Sequence, residues 1–351
     1  MQVKDIGEQG LLRILQKFCP AEIVGDDCAV VPTNPNQSLA ITTDMLVDGV
    51  HFSDRTTGPY YAGWRAAAAN LSDLAAMGAT PLAVTVALAV AGDTAVEWVE
   101  EFYRGMTACL QEYDTPIVGG DVVRSPVVTV AITAFGQVEC DRTISRSNAR
   151  SGWAIVATGV HGASRAGLEL LLNPEFGQNL EKVDRASLIL AHQCPKPRLD
   201  VLPVVWEILA SEGAMEPPLS PPLAKGGPGG VPSPIAIAGM DSSDGLADAI
   251  IQICRASGVG AKVDRTKIPI PDIFSEIGSP EQALDWALYG GEDFELVLFL
   301  PITNAQLLVE RIGNAAAIVG ITTESIDIWL TDSTGVYPDA ILKLDRGFQH
   351  F

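Results

Sequence analysis

The sequence predicts an α/β protein with two domains. At 351 residues, the chain exceeds the size that one hydrophobic core usually supports, which favours two domains. Hydrophobic residues make up 47% of the chain and charged residues only 19%, so the chain can bury a large core. Apolar strand-like segments alternate with helix-like segments along its length, which is typical of α/β folds.

Each segment of the first half fits one type of element. Short apolar or alternating runs predict strands, whereas Ala-rich and amphipathic segments predict helices. This half ends near Arg150. Its predicted elements are, in order, a strand at Ser38–Thr43, a helix at Tyr61–Met77, a strand at Leu82–Val90, a helix at Ala95–Tyr113 and a strand at Val127–Phe135.

The second half continues this alternation with one interruption. The segment Glu216–Pro234 consists almost entirely of Pro, Gly, Ser and Lys. Pro removes backbone donors and Gly raises the entropy of the unfolded chain, so we predict a flexible Pro/Gly-rich surface insertion at 216–234. The predicted elements around it are a strand at Trp153–Thr158, a helix at Ser164–Leu172, a strand at Ile235–Met240, a helix ending at Ala256, a strand at Phe294–Leu300, a helix at Asn304–Ile312 and a strand at Ala316–Ile321.

The charge balance argues against several classes of partner. A net charge of −20 without a Lys/Arg run makes the chain a poor partner for nucleic acid or an anionic membrane.

The six cysteines form no C-x-x-C pair, which argues against a zinc or redox site. The first ten residues lack an apolar stretch, and the apolar run Leu82–Ala91 is too short to span a bilayer. We therefore expect a cytoplasmic protein.

Acidic residues recur beside Ser, Thr or Gly where apolar strands are predicted to end, and strand ends are where α/β folds place ligands. Carboxylate and hydroxyl oxygens suit hard cations such as Mg²⁺, and glycines let backbone amides approach phosphate oxygens. The pattern therefore predicts a site for divalent cations and phosphates. The five turns are Gly25-Asp26-Asp27, Thr42-Thr43-Asp44, Gly119-Gly120-Asp121, Asp241-Ser242-Ser243-Asp244-Gly245 and Gly290-Gly291-Glu292-Asp293.

A single acidic turn also has an ordinary explanation, because Asp at a helix start usually caps that helix. Asp244 could cap the helix that follows it, and Asp26 could serve a plain turn. Asp73 differs, since it lies in the otherwise apolar segment Ala69–Met77 and a buried carboxylate needs a cation or hydrogen bonds. A structural salt bridge is the competing explanation for Asp73.

Transfer of a phosphoryl group to another phosphate would need such a set of carboxylates. Charge develops on donor and acceptor oxygens, and metal ions together with positioned cations neutralise it. The sequence contains no G-x-x-x-x-G-K-[ST] loop, which would be the usual alternative. Arg146 is a candidate cation for ATP phosphates, although an ordinary surface arginine is the competing interpretation.

Several segments in a fixed order carry a more specific signal. In them the sequence resembles the thiamine-monophosphate kinases, a family of the superfamily that includes aminoimidazole ribonucleotide synthetase and selenophosphate synthetase. The resemblance runs from Lys4 to Phe348 except for the insertion, and Val50-His51-Phe52 favours this family over its relatives. The matching segments are Gly25–Ala29, Thr42–Phe52, Asn70–Ala79, Val118–Asp121 and Gly290–Leu296.

The resemblance implies ATP-dependent phosphorylation of thiamine monophosphate to thiamine diphosphate. Transfer would be direct, with ATP as co-substrate and several Mg²⁺ ions as cofactors. The implied fold is the two-domain architecture of aminoimidazole ribonucleotide synthetase, with mixed sheets flanked by helices. Residues 1–149 would bind ATP and metal and form a homodimer, and residues 150–351 would form the second α/β domain.

Carried over position by position, the resemblance also implies roles for individual residues. The implied catalytic residues are Asp44, Asp121, Arg146 and Asp244. The implied metal ligands are Asp27, Thr42, Thr43, Asp44, Asp73, Asp121, Asp241 and Asp244. The implied ATP contacts are Tyr103, Gly120, Asp121, Arg146 and Ser243. The implied contacts to thiamine monophosphate are His51, Glu292 and Phe348, whose aromatic face could stack on the cationic thiazolium ring.

Departures from the family pattern occur at Ser242, in the segment Ser147–Trp153 and at the insertion after Glu216, and two alternatives accompany the assignment. Ser242 stands where the family usually has a bulky apolar residue. A purine-precursor cycloligase of the same superfamily would share the ATP and metal turns and differ at the acceptor pocket. A non-catalytic protein that binds divalent cations would explain the acidity, but not the Gly-Gly-Asp segment after a strand.

Overall fold

The computed structural model describes residues 1–20, 33–139, 141–211, 237–313 and 316–344. The predictions for Asp26, Asp27, Phe348 and the insertion at 216–234 lie outside the described residues. The helices are α1 Val3–Leu15, α2 Pro59–Ala76, α3 Val96–Gln111, α4 Ala163–Leu172, α5 Lys182–Gln193, α6 Val201–Ser211, α7 Leu246–Ser257, α8 Phe274–Ile277, α9 Pro280–Tyr289 and α10 Ile302–Ile312. The strands are β1 Gln37–Val47, β2 Thr80–Val90, β3 Ile117–Arg124, β4 Thr129–Glu139, β5 Ala154–Ala157, β6 Ala238–Asp241, β7 Gly260–Asp264, β8 Leu296–Leu300, β9 Ala317–Thr323, β10 Ile328–Thr331 and β11 Ala340–Ile341.

Among the described residues, the amino-terminal sheet contains four strands in the order β1-β4-β2-β3. Strand β4 pairs antiparallel with β1 and β2, whereas β2 and β3 are parallel. Helices α2 and α3 pack closely, and their contact requires glycine. A Cβ atom at Gly63 would lie 1.9 Å from the carbonyl oxygen of Phe102, and one at Gly105 would lie 1.7 Å from that of Tyr60.

In the part of the chain that the structure describes, the carboxy-terminal sheet contains seven strands in the order β11-β10-β7-β9-β5-β8-β6. Strands β7 and β10 are parallel, and the other neighbouring strands are antiparallel. Apolar side chains of α7 and α9 pack in one core cluster with this sheet, and those of α6 and α10 pack in another. The second cluster also contains Ala75 and Ala76, so the end of α2 reaches the second half of the chain.

Two mixed sheets flanked by helices confirm the predicted fold class. The predicted domain boundary between residues 149 and 150 falls in the segment that joins β4 to β5. Every predicted strand and helix overlaps an observed one of the same type. Helices α1, α5, α6, α8 and α9 and strands β3, β7, β10 and β11 were not predicted. None of the described helices is both long enough and apolar enough to cross a membrane.

Residues of the amino-terminal sheet alternate between two faces, as the pleat requires. On β1 and β4, Leu46, Val130 and Ile132 are buried in the core that α2 covers. The residues between them face outward, and Ile41 and Met45 are 59% and 56% exposed. The sheet therefore has an apolar outer face.

The prediction that acidic residues follow strand ends is correct at one turn and wrong at three. Asp241 ends β6 and its turn follows at once. Asp44 lies within β1 and Asp121 within β3, because pairing with β4 and with β2 continues beyond them. Gly290–Asp293 follows α9 and precedes β8.

Candidate active site

A cavity of about 1060 Å³ is lined by both halves of the chain. Its walls come from β1 and the turn after it, α2, α4, α5, α9, the turn after β6 and the segment before β8. Sites for small molecules usually measure roughly 300–1,000 Å³, so this cavity is large enough for more than one small ligand. Seven predicted site residues line it: Asp44, His51, Asp73, Asp241, Ser243, Asp244 and Glu292.

Four of these residues are aspartates whose carboxylates repel one another. Asp44 lies on β1, Asp73 on α2, Asp241 at the end of β6 and Asp244 in the turn that follows. Burial, and then the charges of the other three, raise the pKa of Asp44 to about 7. Burial, and then Asp73, raise the pKa of Asp241 to about 6. A bound cation would relieve this repulsion.

Helix α2 joins the acidic residues of the two halves. The hydroxyl of Ser72 donates a hydrogen bond of 2.7 Å to the carboxylate of Asp241. The adjacent Asp73 accepts a hydrogen bond from the Thr42 hydroxyl on β1. These contacts bring β1, α2 and β6 together at one place, although their residues are far apart in the sequence.

The charge of Arg146 also affects the acidic group, through the pKa of Asp73. Burial raises the pKa of Asp73, while the Thr42 hydroxyl and the Arg146 guanidinium act in the opposite direction. Within the described ranges, no three Asp, Glu, His or Cys side chains approach closely enough to form a ready metal site. The four carboxylates are therefore a spread-out group rather than a closed cage.

The segment Gly290–Phe294 has a strained backbone beside the acidic turn. Glu292 and Phe294 have φ angles of 61° and 51°, a region that costs non-glycine residues about 1–3 kcal/mol. The N–H of Glu292 donates to the carbonyl of Ser243 over 2.7 Å, and the carboxylate of Asp293 accepts from the N–H of Gly162 at 2.7 Å. These bonds fix the segment between the acidic turn and α4, with Glu292 in the cavity wall.

Two further features of the cavity concern histidine and arginine. The Nδ1 atom of His51 accepts the N–H of Val47 at 3.1 Å, which holds the imidazole in the cavity wall. Sequence reasoning missed Arg65 and Arg165, which also line the cavity. Arg65 lies in the same apolar helix as Asp73, so the signal that singled out Asp73 could also have found it.

Four of the five predicted ATP contacts do not line the cavity: Tyr103, Gly120, Asp121 and Arg146. Tyr103 is buried on α3, and its ring lies 5.5 Å from that of Phe18. Gly120 lies on β3, where a Cβ atom would be 2.0 Å from the carbonyl oxygen of Val86. Packing and strand pairing therefore account for Tyr103 and Gly120 within a single chain.

Two predicted metal ligands also lie away from the carboxylate group. Asp121 is exposed on β3, at the sheet edge opposite to β1. Thr43 points to the outer face, where its hydroxyl lies 2.9 Å from that of Thr133. Side chains alternate along a strand, so neighbouring Thr43 and Asp44 lie on opposite faces of the sheet.

The structure explains the departure at Ser242. This residue is fully buried, and its hydroxyl lies 3.1 Å from Nε2 of His161. The Nδ1 atom of His161 donates to the Gly159 carbonyl at 3.0 Å, so Nε2 accepts from Ser242. Burial lowers the pKa of His161 to about 4, which keeps it neutral. The hydroxyl beside Asp241 is thus satisfied by a specific partner.

Replacing His161 by leucine is expected to lower the unfolding free energy by about 1–3 kcal/mol, because the Ser242 hydroxyl would be left buried without a partner. Denaturant titration measures the change. The double variant His161→Leu/Ser242→Ala should recover part of the loss. A single variant as stable as the parent would show that this hydrogen bond contributes nothing.

A chain with two mixed sheets and carboxylates gathered at a cavity lined by both halves has the organisation expected of the superfamily that includes aminoimidazole ribonucleotide synthetase. In agreement, the family model "AIR synthase related protein, N-terminal domain" matches residues 25–138. The chain is 48% identical to the thiamine-monophosphate kinase of Synechococcus elongatus, over 99% of this chain and 98% of that protein. The chain therefore belongs to the thiamine-monophosphate kinase family, as its resemblance predicted.

Solved structures agree with this family. The thiamine-monophosphate kinase of Stenotrophomonas maltophilia K279a matches with a TM-score of 0.72 and 29% identity, over 87% of this chain and 88% of that one. A structure of AaThiL complexed with AMPPCP and TMP matches with a TM-score of 0.68 and 27% identity, over 97% of this chain and 98% of that one.

Proposed function

We propose that this chain transfers the terminal phosphoryl group of ATP to thiamine monophosphate, giving ADP and thiamine diphosphate. The observation that carries this proposal is the convergence of Asp44, Asp73, Asp241 and Asp244 on a cavity that Glu292 also lines. Membership of the family supplies the substrates, since its AaThiL member was solved with AMPPCP and TMP. We expect the reaction to take place in the cytoplasm, where ATP is available.

Several Mg²⁺ ions are assigned to Asp44, Asp73, Asp241 and Asp244, with the Thr42 hydroxyl beside them. All these donors are oxygen atoms, which Mg²⁺ prefers. Their spread-out arrangement suits ions that are also bound by substrate phosphates, as Mg²⁺ usually is. Bound Mg²⁺ would offset the negative charge that two phosphate groups bring together. Asp27 stays a predicted ligand.

The residues of the chain orient two phosphates for direct transfer. The second pKa of a phosphate monoester is about 6, so the attacking oxygen of the acceptor is already anionic at neutral pH and needs no general base. Rate enhancement then rests on position and charge. We assign Arg146 and Ser243 to the donor phosphates, and His51 and Glu292 to the acceptor. Phe348 stays a predicted contact.

A homodimer would explain why Asp121 lies apart from the other carboxylates. In one chain, Asp44 and Asp121 lie on opposite edges of the sheet, three strand spacings or about 14 Å apart. The outer face between these edges carries exposed Ile41 and Met45. Two copies that joined these faces would bury apolar surface and could bring β3 of one next to β1 of the other. Because β1 is an edge strand, the partner's Asp121 would then reach the carboxylates around Asp44 past the free edge of β1.

A mixing experiment tests this arrangement. Asp44→Asn and Asp121→Asn are each expected to be nearly inactive, but co-expressed variants should recover about a quarter of the parent activity, since half the dimers are mixed and each has one intact site. Differently tagged chains allow the mixed dimer to be purified. A mixed dimer without activity would place Asp121 in the site of its own chain.

The reaction itself is tested by measuring ADP release with and without thiamine monophosphate, each with Mg²⁺ and with EDTA. We expect release that requires both Mg²⁺ and thiamine monophosphate, with thiamine diphosphate as the second product. Release without that product, or release stimulated by a purine precursor instead, would contradict the proposal.

A further inference from the structure

The guanidinium of Arg65 connects three parts of the cavity. It lies on α2 with only 3% of the residue exposed. One terminal nitrogen donates to the carboxylate of Glu292, in the strained segment before β8. The other donates over 2.6 Å to the backbone carbonyl of His192, at the end of α5. Arg65 therefore holds Glu292 against a scaffold made by two helices.

The surroundings of Arg65 fit a functional role better than a purely structural one. Its Nε atom is buried and has no hydrogen-bond partner among the described residues, although the residue lines the cavity. A buried donor left unpaired costs about 1–3 kcal/mol, so a structural arginine would be expected to satisfy it. The imidazole of His192 cannot help to balance Glu292, because burial, followed by Arg65 and Arg165, lowers the pKa of His192 to about 2.

Helix α2 sets the distance between Arg65 and the acidic group. Arg65, Ala69 and Asp73 are four residues apart in turn and all line the cavity, so they share one helical face. At a rise of 1.5 Å per residue, the backbone positions of Arg65 and Asp73 are about 12 Å apart. Helix α2 therefore carries both Asp73, which belongs to the acidic group, and Arg65, which holds Glu292.

We propose that Arg65 is a positioning residue for the acceptor: it fixes Glu292 at the end of the cavity away from Asp73. This inference rests on the proposed function. Without Arg65, Glu292 would lose its charged partner and its fixed direction, while the metal ligands would keep their bonds to Ser72 and Thr42.

The test compares Arg65→Met, Arg65→Lys, Glu292→Gln and the double variant Arg65→Met/Glu292→Gln. Arg65→Met is expected to raise the dissociation constant for thiamine monophosphate by about 10- to 100-fold, as loss of a supporting contact commonly does. The KM for ATP should stay within about twofold, because the donor phosphates do not depend on Glu292. Calorimetry gives the dissociation constant, and initial rates give the KM values. Arg65→Lys should lie between Arg65→Met and the parent, since lysine keeps the charge but not the two-sided fork.

The double variant separates positioning from direct contact. If Arg65 acts through Glu292, adding Arg65→Met to Glu292→Gln should cause little further loss. Additive losses, or equal weakening of ATP and thiamine monophosphate binding, would overturn the assignment. If Arg65→Met does not fold, the same comparison is made with Arg65→Lys in the parent and in Glu292→Gln.

A matched control is Arg104→Met, which removes an exposed ion pair to Glu101 on α3 and should leave both affinities unchanged. Binding and activity of the parent protein distinguish a failure of the proposed function from a failure of the role proposed for Arg65. A parent that neither binds nor phosphorylates thiamine monophosphate would overturn the proposed function together with this inference. An active parent whose Arg65→Met variant binds thiamine monophosphate normally would overturn only the role of Arg65.

Discussion

Replacing Asp44 by asparagine is expected to lower kcat by about 10²–10³-fold, the usual cost of losing one group that stabilises transition-state charge. Asp44 lies on β1 and is repelled by the other three carboxylates. Burial is the largest cause of its raised pKa, and the charges of Asp73, Asp241 and Asp244 raise it further. Asparagine keeps the shape of the side chain and one oxygen ligand, but removes the charge that holds Mg²⁺. Single-turnover rates at saturating substrates measure the loss in the chemical step.

Stability measurements on the same variant test whether the fold is intact. The pKa of Asp44 is raised from 3.8 to about 7, so the folded protein without metal takes up a proton that the unfolded chain releases. The metal-free parent should therefore lose stability as the pH rises from about 4 to about 7, and Asp44→Asn should lose less. Adding Mg²⁺ should raise the Tm of the parent more than that of the variant, because the ion binds the folded site.

Asp93→Asn provides the control, since Asp93 is exposed and does not line the cavity. It should retain the parent kcat and the same response of Tm to Mg²⁺. Parent-like turnover in Asp44→Asn would remove Asp44 from the mechanism, and an unchanged pH profile of stability would show that its charge is not repelled in the folded state.

The sequence predicted the order of elements well, because apolar periodicity is a local property of each segment. It also identified the carboxylates that meet at the cavity, since the resemblance fixed their positions. It did not reveal on which face of the sheet Asp121 lies, because that depends on the register between β2 and β3. The pairing of Arg65 could not be inferred for a similar reason: its partner Glu292 is 227 residues away in the sequence, and only the packed structure joins them.

His161 and Ser242 illustrate the same limit. The sequence showed only that Ser242 was unusual, and a buried hydroxyl alone would suggest a weakened turn. Its partner His161 lies 81 residues earlier, so the compensation could not be inferred from either segment. Local departures from a family pattern are therefore best judged together with the residues that pack against them.

Replacing Arg198 by methionine is expected to lower the unfolding free energy by about 3–5 kcal/mol, the usual cost of removing one partner of a buried ion pair. Arg198 donates to the carboxylate of Glu295, and the two side chains are only 13% and 15% exposed. It also donates to the Thr158 carbonyl at 2.9 Å. The N–H of Ser242 donates to the carbonyl of Glu295 over 2.8 Å, so this ion pair supports the acidic turn that contains Asp241.

The pH dependence of the loss identifies its cause. Burial raises the pKa of Glu295, and Arg198 is the charge that opposes this effect. Without Arg198 the carboxylate favours its protonated form in the folded state, so the stability deficit should grow as the pH rises from about 5 to about 8. Denaturant titrations at several pH values measure this trend.

Two further variants separate the loss of the ion pair from a general packing defect. Arg198→Met/Glu295→Gln should regain most of the stability, because no buried charge is left unpaired and glutamine can still accept the hydrogen bond from the Thr158 hydroxyl. Arg311→Met breaks an exposed ion pair with Glu207 and should cost less than about 1 kcal/mol. If the double variant were no more stable than Arg198→Met, the loss would come from packing around the arginine stem, and the support of the acidic turn would not depend on the charge of Arg198.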